Sequence, residues 1–319
     1  SMKYSNLEKS PEFVEETVKL IENAFEYDKD HSFDKDFYPL VKTDNHKNCY
    51  ILIDGDEVIA HIGALSRQIK LGNNLYSFTM FGGIAVSEKY RGQGLFKKHF
   101  SHVLEKFNGQ AFYLLWSEKL DLYEKFNFYP CGKLNEYESS AQDTSYKESS
   151  LSSLSTKNLK QLYKLYESTQ EIRPLRSQEE WNDLSKMTSI QLYIKQNDQD
   201  EIENYFLKNK GKDLTNIIHE YGIIDSKISS YGKLWSPEEL QLNSIKLNAF
   251  LLHPGENFIN FMNDYCHIEI KEINENVEFK FNKEEFQISI KEFLPGVFGP
   301  GRFQELQSPY IFIPGAISI

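Results

Sequence analysis

Apolar positions along the first third of the chain switch between two periods. Phe13, Val14, Val18, Ile21 and Phe25 recur near every 3.6 residues, which predicts a helix over Pro11–Phe25. Phe33–Val41 carries a weaker helical pattern. Cys49–Ile53 predicts a strand, Asp54-Gly55-Asp56 a tight turn, and Val58–Leu71 a long returning strand. Gly72-Asn73-Asn74 turns the chain once more into Leu75–Val86, so three antiparallel strands follow one another. Leu95, Phe96, Phe100, Val103, Leu104 and Phe107 then mark the buried stripe of a helix, which Asn108-Gly109 ends. Ala111–Trp116 is nearly all apolar, as expected of a strand covered on both faces. A short helix over Leu120–Phe126 and a strand over Phe128–Tyr137 complete the pattern.

Residues 139–153 are Ser-rich, polar and poor in bulky apolar groups, the composition of a linker. The expected domains are therefore 1–140 and 154–319. After the linker, Leu159–Tyr166 is helical, Trp181–Met187 suggests a second helix, and Tyr205–Leu207 with Leu214–Tyr221 forms a strand pair around Lys210-Gly211-Lys212. The hairpin around Asp54-Gly55 and the one around Lys210-Gly211 share an order: apolar strand, charged Gly turn, apolar strand with a late His, then Gly. That echo suggests a second copy of one fold, and chance similarity of two hairpins is the competing explanation.

Composition narrows the chemistry. The 319 residues exceed what one core usually holds, and 40% hydrophobic with 26% charged residues is an ordinary globular balance. No apolar run approaches the roughly 18 residues of a membrane span, and charged residues from Lys3 to Glu16 interrupt any signal-peptide pattern. Cys49, Cys131 and Cys266 lie far apart with no C-x-x-C pair. This spacing speaks against a disulfide framework and a metal site, and it suits a reducing cytoplasm. A net charge of −11 without a Lys/Arg block speaks against nucleic acid as a partner.

The candidate chemistry lies in Phe81–Phe96. Strand Phe81–Val86 gives way to Arg91-Gly92-Gln93-Gly94, which opens the amphipathic helix. A glycine-rich loop at a helix start offers backbone N–H groups and the positive end of the helix dipole to a phosphate. A Rossmann site would need G-x-G-x-x-G between parallel strands, and a P-loop would need G-x-x-x-x-G-K-S/T; neither is present. Gly92 and Gly94 allow close approach of backbone to ligand. Arg91, Lys97 and Lys98 concentrate positive charge in an otherwise acidic chain.

Three antiparallel strands, this loop, a helix, a buried strand and a short helix bearing a Tyr resemble the GNAT superfamily of acyl-CoA-dependent N-acyltransferases. The resemblance rests on Ile84-Ala85-Val86, Arg91-Gly92-Gln93-Gly94-Leu95 and Leu122–Phe128, and it covers residues 1–138. The family pattern is Q/R-x-x-G-x-G/A, and here Phe96 replaces the last small residue. The resemblance implies an α+β (mixed α/β) GNAT fold. Its central sheet is mostly antiparallel, splayed and flanked by helices, and a second, degenerate GNAT-like domain lacking R-G-x-G follows.

It also implies acetyl-CoA (coenzyme A) as cosubstrate. Arg91, Gly92, Gln93, Gly94, Leu95 and Phe96 would hold the pyrophosphate. Ile84, Ala85 and Val86 would pair with the pantetheine arm, with Gly82-Gly83 as a bulge at the splay. Tyr123 would protonate the leaving thiolate, and an N–H near Ala85 or Val86 would polarise the thioester carbonyl. His61, Glu118 and Asp121 are candidate bases, directly or through water. Tandem relatives of the enhanced intracellular survival type use the terminal carboxylate as base, which adds Ile319 at the end of an apolar tail. Ser117, just past the buried strand, could reach substrate or cofactor or serve as a helix cap. On the residues themselves, His99 and His102 lack a carboxylate or Cys to complete a metal set, His253-Pro254-Gly255 is a turn, and Trp116, Trp181 and Trp235 are core or groove-wall residues.

The expected activity is acetyl transfer to a primary amine of a small-molecule or peptide acceptor. The alternatives are a non-catalytic acyl-CoA sensor or scaffold, and a transferase using a longer acyl donor. The expected setting is cytoplasmic, without metal, membrane or nucleic acid. The second domain would shape the acceptor pocket or provide a homodimer face.

Overall fold

The computed structural model describes residues 1–319. The first strand is β1 (Met2–Asn6), followed by α1 (Val14–Ala24), α2 (Phe33–Asp36) and α3 (Tyr38–Val41). The expected helix over Phe33–Val41 is thus broken at Phe37. Pro39 has no N–H to offer Lys35 O and its ring would crowd that carbonyl in a continuous helix, so the chain restarts as a separate turn. Then come β2 (Cys49–Asp54), β3 (Glu57–Leu71), β4 (Asn74–Val86), α4 (Leu95–Leu104), β5 (Phe112–Leu115), α5 (Leu120–Glu124) and β6 (Tyr129–Tyr137). These match the elements expected from the hydrophobic pattern, except that β1 was not anticipated. No helix is long and apolar enough to cross a membrane.

The second half continues with β7 (Lys147–Ser149), α6 (Thr156–Glu167), α7 (Gln178–Leu184), β8 (Gln191–Gln196), β9 (Ile202–Lys208), β10 (Ile217–Tyr221), β11 (Lys233–Ser236) and β12 (Ser244–Pro254). Ser155 caps α6, and Ser177 with Glu180 forms a reciprocal capping box on α7. The stretch expected to be a linker contains β7, which pairs with β8. Its one aromatic, Tyr146, is buried, receives Asn204 Nδ2 at 2.8 Å and donates to Asp225 at 3.2 Å. A single anchored Tyr outweighs the polar composition around it.

All twelve strands form one sheet in the order β1-β2-β3-β4-β5-β12-β6-β11-β10-β9-β8-β7. Each half repeats four antiparallel strands followed by a parallel fifth, β4 beside β5 and β10 beside β11. At the centre the halves exchange strands. β12 from the second half lies between β5 and β6, and β6 from the first half lies between β12 and β11. The sheet therefore runs unbroken across 1–140 and 154–319. The repeat also corrects the register of the hairpin echo. Asp54-Gly55 joins β2 to β3, whereas Lys210-Gly211 joins β9 to β10, the counterparts of β3 and β4. Both hairpins alternate alike, so pattern alone does not separate them.

Past β12 the chain leaves the large sheet as α8 (Phe258–Cys266), a small meander of β13 (Glu269–Ile273), β14 (Asn276–Phe281) and β15 (Glu284–Ser289), and α9 (Ile290–Phe298). The expected turn at His253-Pro254-Gly255 begins two residues later. His253 and Pro254 end β12 opposite Tyr113 and Phe112, and only Gly255 starts the turn. Phe258, Phe261, Phe293 and Phe298 pack with Phe78 and Phe112 in the largest apolar cluster. On the opposite face, α4 sets Phe100 and Val103 against Phe81, Tyr113 and Phe128.

Candidate active site

The site begins where one ladder stops. β4 and β5 pair in parallel at Phe78–Phe112, Thr79–Tyr113 and Met80–Leu114 and no further. β4 nevertheless continues to Val86 beside β3, and β5 is held from its other side by β12. Phe81–Val86 therefore presents an edge that β5 does not cover. A bulge sets the divergence: pairing passes from Gly63–Gly82 to His61–Ala85, so Gly83 and Ile84 together oppose Ile62. Gly83 sits at φ +59°, where a side chain would be strained and would press on His61 and Phe33. The extra residue turns β4 away from β5.

At the end of this edge the loop before α4 carries unspent donors. From Gly92 to Lys97 no main-chain N–H donates to another backbone group; the first helical bond is Lys98 N to Gly94 O at 3.3 Å. No side chain caps this helix start. Gly94 is left-handed at φ 75°, ψ 10°, and an added Cβ would meet nothing within 4 Å. The amides of Gln93, Gly94, Leu95 and Phe96 thus sit together at the positive end of α4, an arrangement that suits a phosphate group. Arg91 donates from Nε to Val86 O at 3.1 Å, tying the loop to the open edge, while Lys97 and Lys98 are exposed nearby.

Phe96 departs from the family pattern without obstructing the loop. Its ring stacks on Phe100 at 5.6 Å and meets Tyr123 edge-on at 5.8 Å between centroids, and Phe126 closes the cluster. α5 thereby brings Tyr123 to the first turn of α4. Tyr123 is 5% exposed, and burial alone raises its hydroxyl pKa, so it stays protonated at neutral pH and able to donate.

The candidate bases separate by position. Glu118 and Asp121 are exposed. His61 is fully buried and donates from Nδ1 to Gly83 O at 2.7 Å, which leaves Nε2 without a partner. Burial lowers its pKa to about 4, so the ring is neutral at pH 7. Ile319 lies at the bulge itself: a Cβ on Gly82 would stand 2.9 Å from the Ile319 main-chain carbonyl carbon. The tail reaches there through a turn in which Ile317 N and Ser318 N both donate to Pro314 O, at 2.9 and 3.2 Å. Ser117 is used locally, accepting from Lys119 N at 3.0 Å. Trp116 donates to Ala249 O at 2.9 Å where β12 leaves β5. His99 and His102 lie along the Tyr4 ring.

A family model described as an acetyltransferase (GNAT) domain matches residues 8–131. The matched residues run from the first helices through β2–β5 and the glycine loop into β6, so this part of the chain is similar to a GNAT domain. No curated protein matches the sequence. Among solved structures, a GCN5-related N-acetyltransferase from Anabaena variabilis is similar over 98% of this chain and 99% of its own, with a TM-score of 0.64 at 14% identity. A probable N-acyltransferase from Enterococcus faecalis aligns over 91% of this chain and 85% of its own, with a TM-score of 0.58 at 11% identity. Eis1 from Mycobacterium abscessus aligns over 90% and 85%, with a TM-score of 0.57 at 8% identity. At these identities the likeness is one of fold, and it extends through the second, GNAT-like half. The chemistry of the GNAT family is acyl transfer.

Residues that sequence reasoning missed come from the second half. β12 supplies the outer neighbour of β5, and Lys210, in the loop after β9, touches the tail. The only advance signal was the apolar character of the last residues, which marked the tail as docked without saying where.

Proposed function

We propose that this protein is an acyl-CoA-dependent N-acyltransferase, with acetyl-CoA the donor and a primary amine the acceptor. The observation that carries the reading is the juxtaposition, in a GNAT-like domain, of two main-chain surfaces that no neighbouring strand or helix covers. These are the uncovered edge of β4 beyond Met80 and the undonated amides of Gly92–Lys97. The loop amides would hold the pyrophosphate, and Ile84, Ala85 and Val86 would take the pantetheine arm as a neighbouring strand. An amide of Ala85 or Val86 would bear on the thioester carbonyl as charge develops there. Tyr123 would return a proton to the departing thiolate. In a chain that ends at Ile319 its carboxylate stands at the bulge, where it is better placed than Glu118 or Asp121 to take the proton of the acceptor amine. The acidic balance of the chain favours a cationic acceptor.

Free-thiol release from acetyl-CoA across a panel of polyamines, aminoglycosides and lysine peptides tests this function, with Tyr123→Phe as the paired variant. Loss of one proton donor is expected to lower kcat by about 100-fold while coenzyme A affinity stays within twofold. Coenzyme A binding without thiol release for any amine would leave the sensor reading in its place.

A further inference from the structure

A buried lysine of the second half holds the tail that ends at Gly82. Lys210 is 2% exposed. Its Nζ donates to Gly315 O at 2.8 Å and to Ser318 O, and it lies 4.6 Å from the centroid of the Phe37 ring. The neighbouring Gly211 is pressed on Asp36, whose Oδ2 would lie 2.6 Å from a Cβ at that position. Asp36 accepts from Ser189 Oγ at 2.7 Å through its other oxygen and keeps Oδ2 without a hydrogen-bonded partner. On β10, His219 packs under Gly315, and its carbonyl takes Gly315 N at 3.1 Å. Asp36 and Glu220 face Lys210 as negative groups, with His219 beside them. The tail is thus gripped two residues and five residues into its final turn, and Ile319 follows directly onto the bulge of β4.

We infer that Lys210 is a positioning residue: its Nζ, donating to two carbonyls, latches Pro314–Ile319 and so fixes the residue that faces the β4–β5 divergence. The inference rests on reading that divergence as the transfer site. A methionine would fill the same space, so packing alone does not call for a lysine. The turn leaves Gly315 O and Ser318 O without backbone bonds; Gly315 O also accepts from Ser318 Oγ at 3.0 Å, so what only the Lys210 donor supplies is the partner of Ser318 O and a second one for Gly315 O. The second GNAT-like half, which has no glycine loop, contributes to the first site through this contact.

The test compares Lys210→Met, which removes the donor at similar volume, with Lys210→Gln, which keeps a neutral donor. Hydrogen exchange of the Gly315, Ile317 and Ser318 amides reads the latch directly, whether or not any acceptor is known. Lys210→Met is expected to speed their exchange at least tenfold while the amides of β4 are unchanged. Its kcat should fall at least tenfold with coenzyme A affinity within twofold, and Lys210→Gln should recover part of both losses. Unchanged tail exchange in a folded Lys210→Met overturns the latch, and so does a loosened tail with full turnover. Absence of thiol release in the wild type would overturn the transfer reading instead and leave tail exchange to decide the latch.

Discussion

Placing an acid on Gly94 puts the anion cradle to a quantitative test. Gly94 is exposed and left-handed, and no atom lies within 4 Å of an added Cβ. Gly94→Glu therefore costs backbone strain of roughly 1–2 kcal/mol and no packing. Gly109 offers a matched control. It too is exposed and left-handed at φ +67°, with nothing within 4 Å, and it lies beyond the far end of α4. Gly109→Glu should lose the same stability, so the difference between the two variants removes the strain. What remains at Gly94 is one carboxylate beside the two charges of a pyrophosphate. At about 5 Å in water-like surroundings their repulsion is roughly 1.7 kcal/mol, or about 15-fold in Kd at low salt. Screening at physiological ionic strength reduces the effect to about fivefold. Isothermal titration with coenzyme A at two salt concentrations measures it. Equal Kd values for the two variants, or a Gly94→Glu loss that salt does not shrink, would refute the placement of phosphate at this loop.

Gly82→Ala places a methyl group against Ile319 and is expected to destabilise the protein by about 1–3 kcal/mol through overpacking. Deleting residues 317–319 in the same protein should recover most of that loss in thermal unfolding, whereas a deletion that leaves it intact would mean the tail is not what the methyl meets. A fragment ending at residue 140 retains β5 and β6 but not the β12 that joins them, so it is expected to be insoluble alone and to become soluble when 141–319 is coexpressed. A folded, monodisperse 1–140 fragment by gel filtration and circular dichroism would contradict this.

The first half was legible because its signals are local. A period of 3.6 or 2, a Gly turn and a nearly all-apolar run each specify an element without reference to the rest of the chain. The bulge was legible too, since Gly82-Gly83 within a strand rich in β-branched and aromatic residues needs a reason. Long-range pairing was not. Nothing in Ser244–Pro254 states that it will lie beside Leu115 on one edge and Leu134 on the other. β12 alternates only weakly, because its first six residues are exposed or only half-buried and just Phe250–Leu252 are buried. Lys210 was hidden for a related reason. In sequence it belongs to a charged turn, and charged turns are usually solvated; the arriving tail and Phe37 of the first half, both distant in sequence, bury it.

The two halves also differ in a way that explains why a repeated fold supports a single proposed site. Twenty-five residues separate Val86 from Phe112, enough for the glycine loop and the whole of α4. Eleven separate Tyr221 from Lys233, and they hold only a short 3-10 turn over Ser226–Ser230. A parallel crossover that short reaches the next strand without a helix, so it has no helix start and gathers no amides toward a ligand. Freed from holding a cofactor, the same half spends its material on the other site. One strand covers β5, one loop lysine grips the tail, and the tail meets Gly82. Residues of the second half that touch this path should therefore affect turnover more than residues of its own β10–β11 crossover. That ordering follows from topology alone and does not depend on the identity of the acceptor.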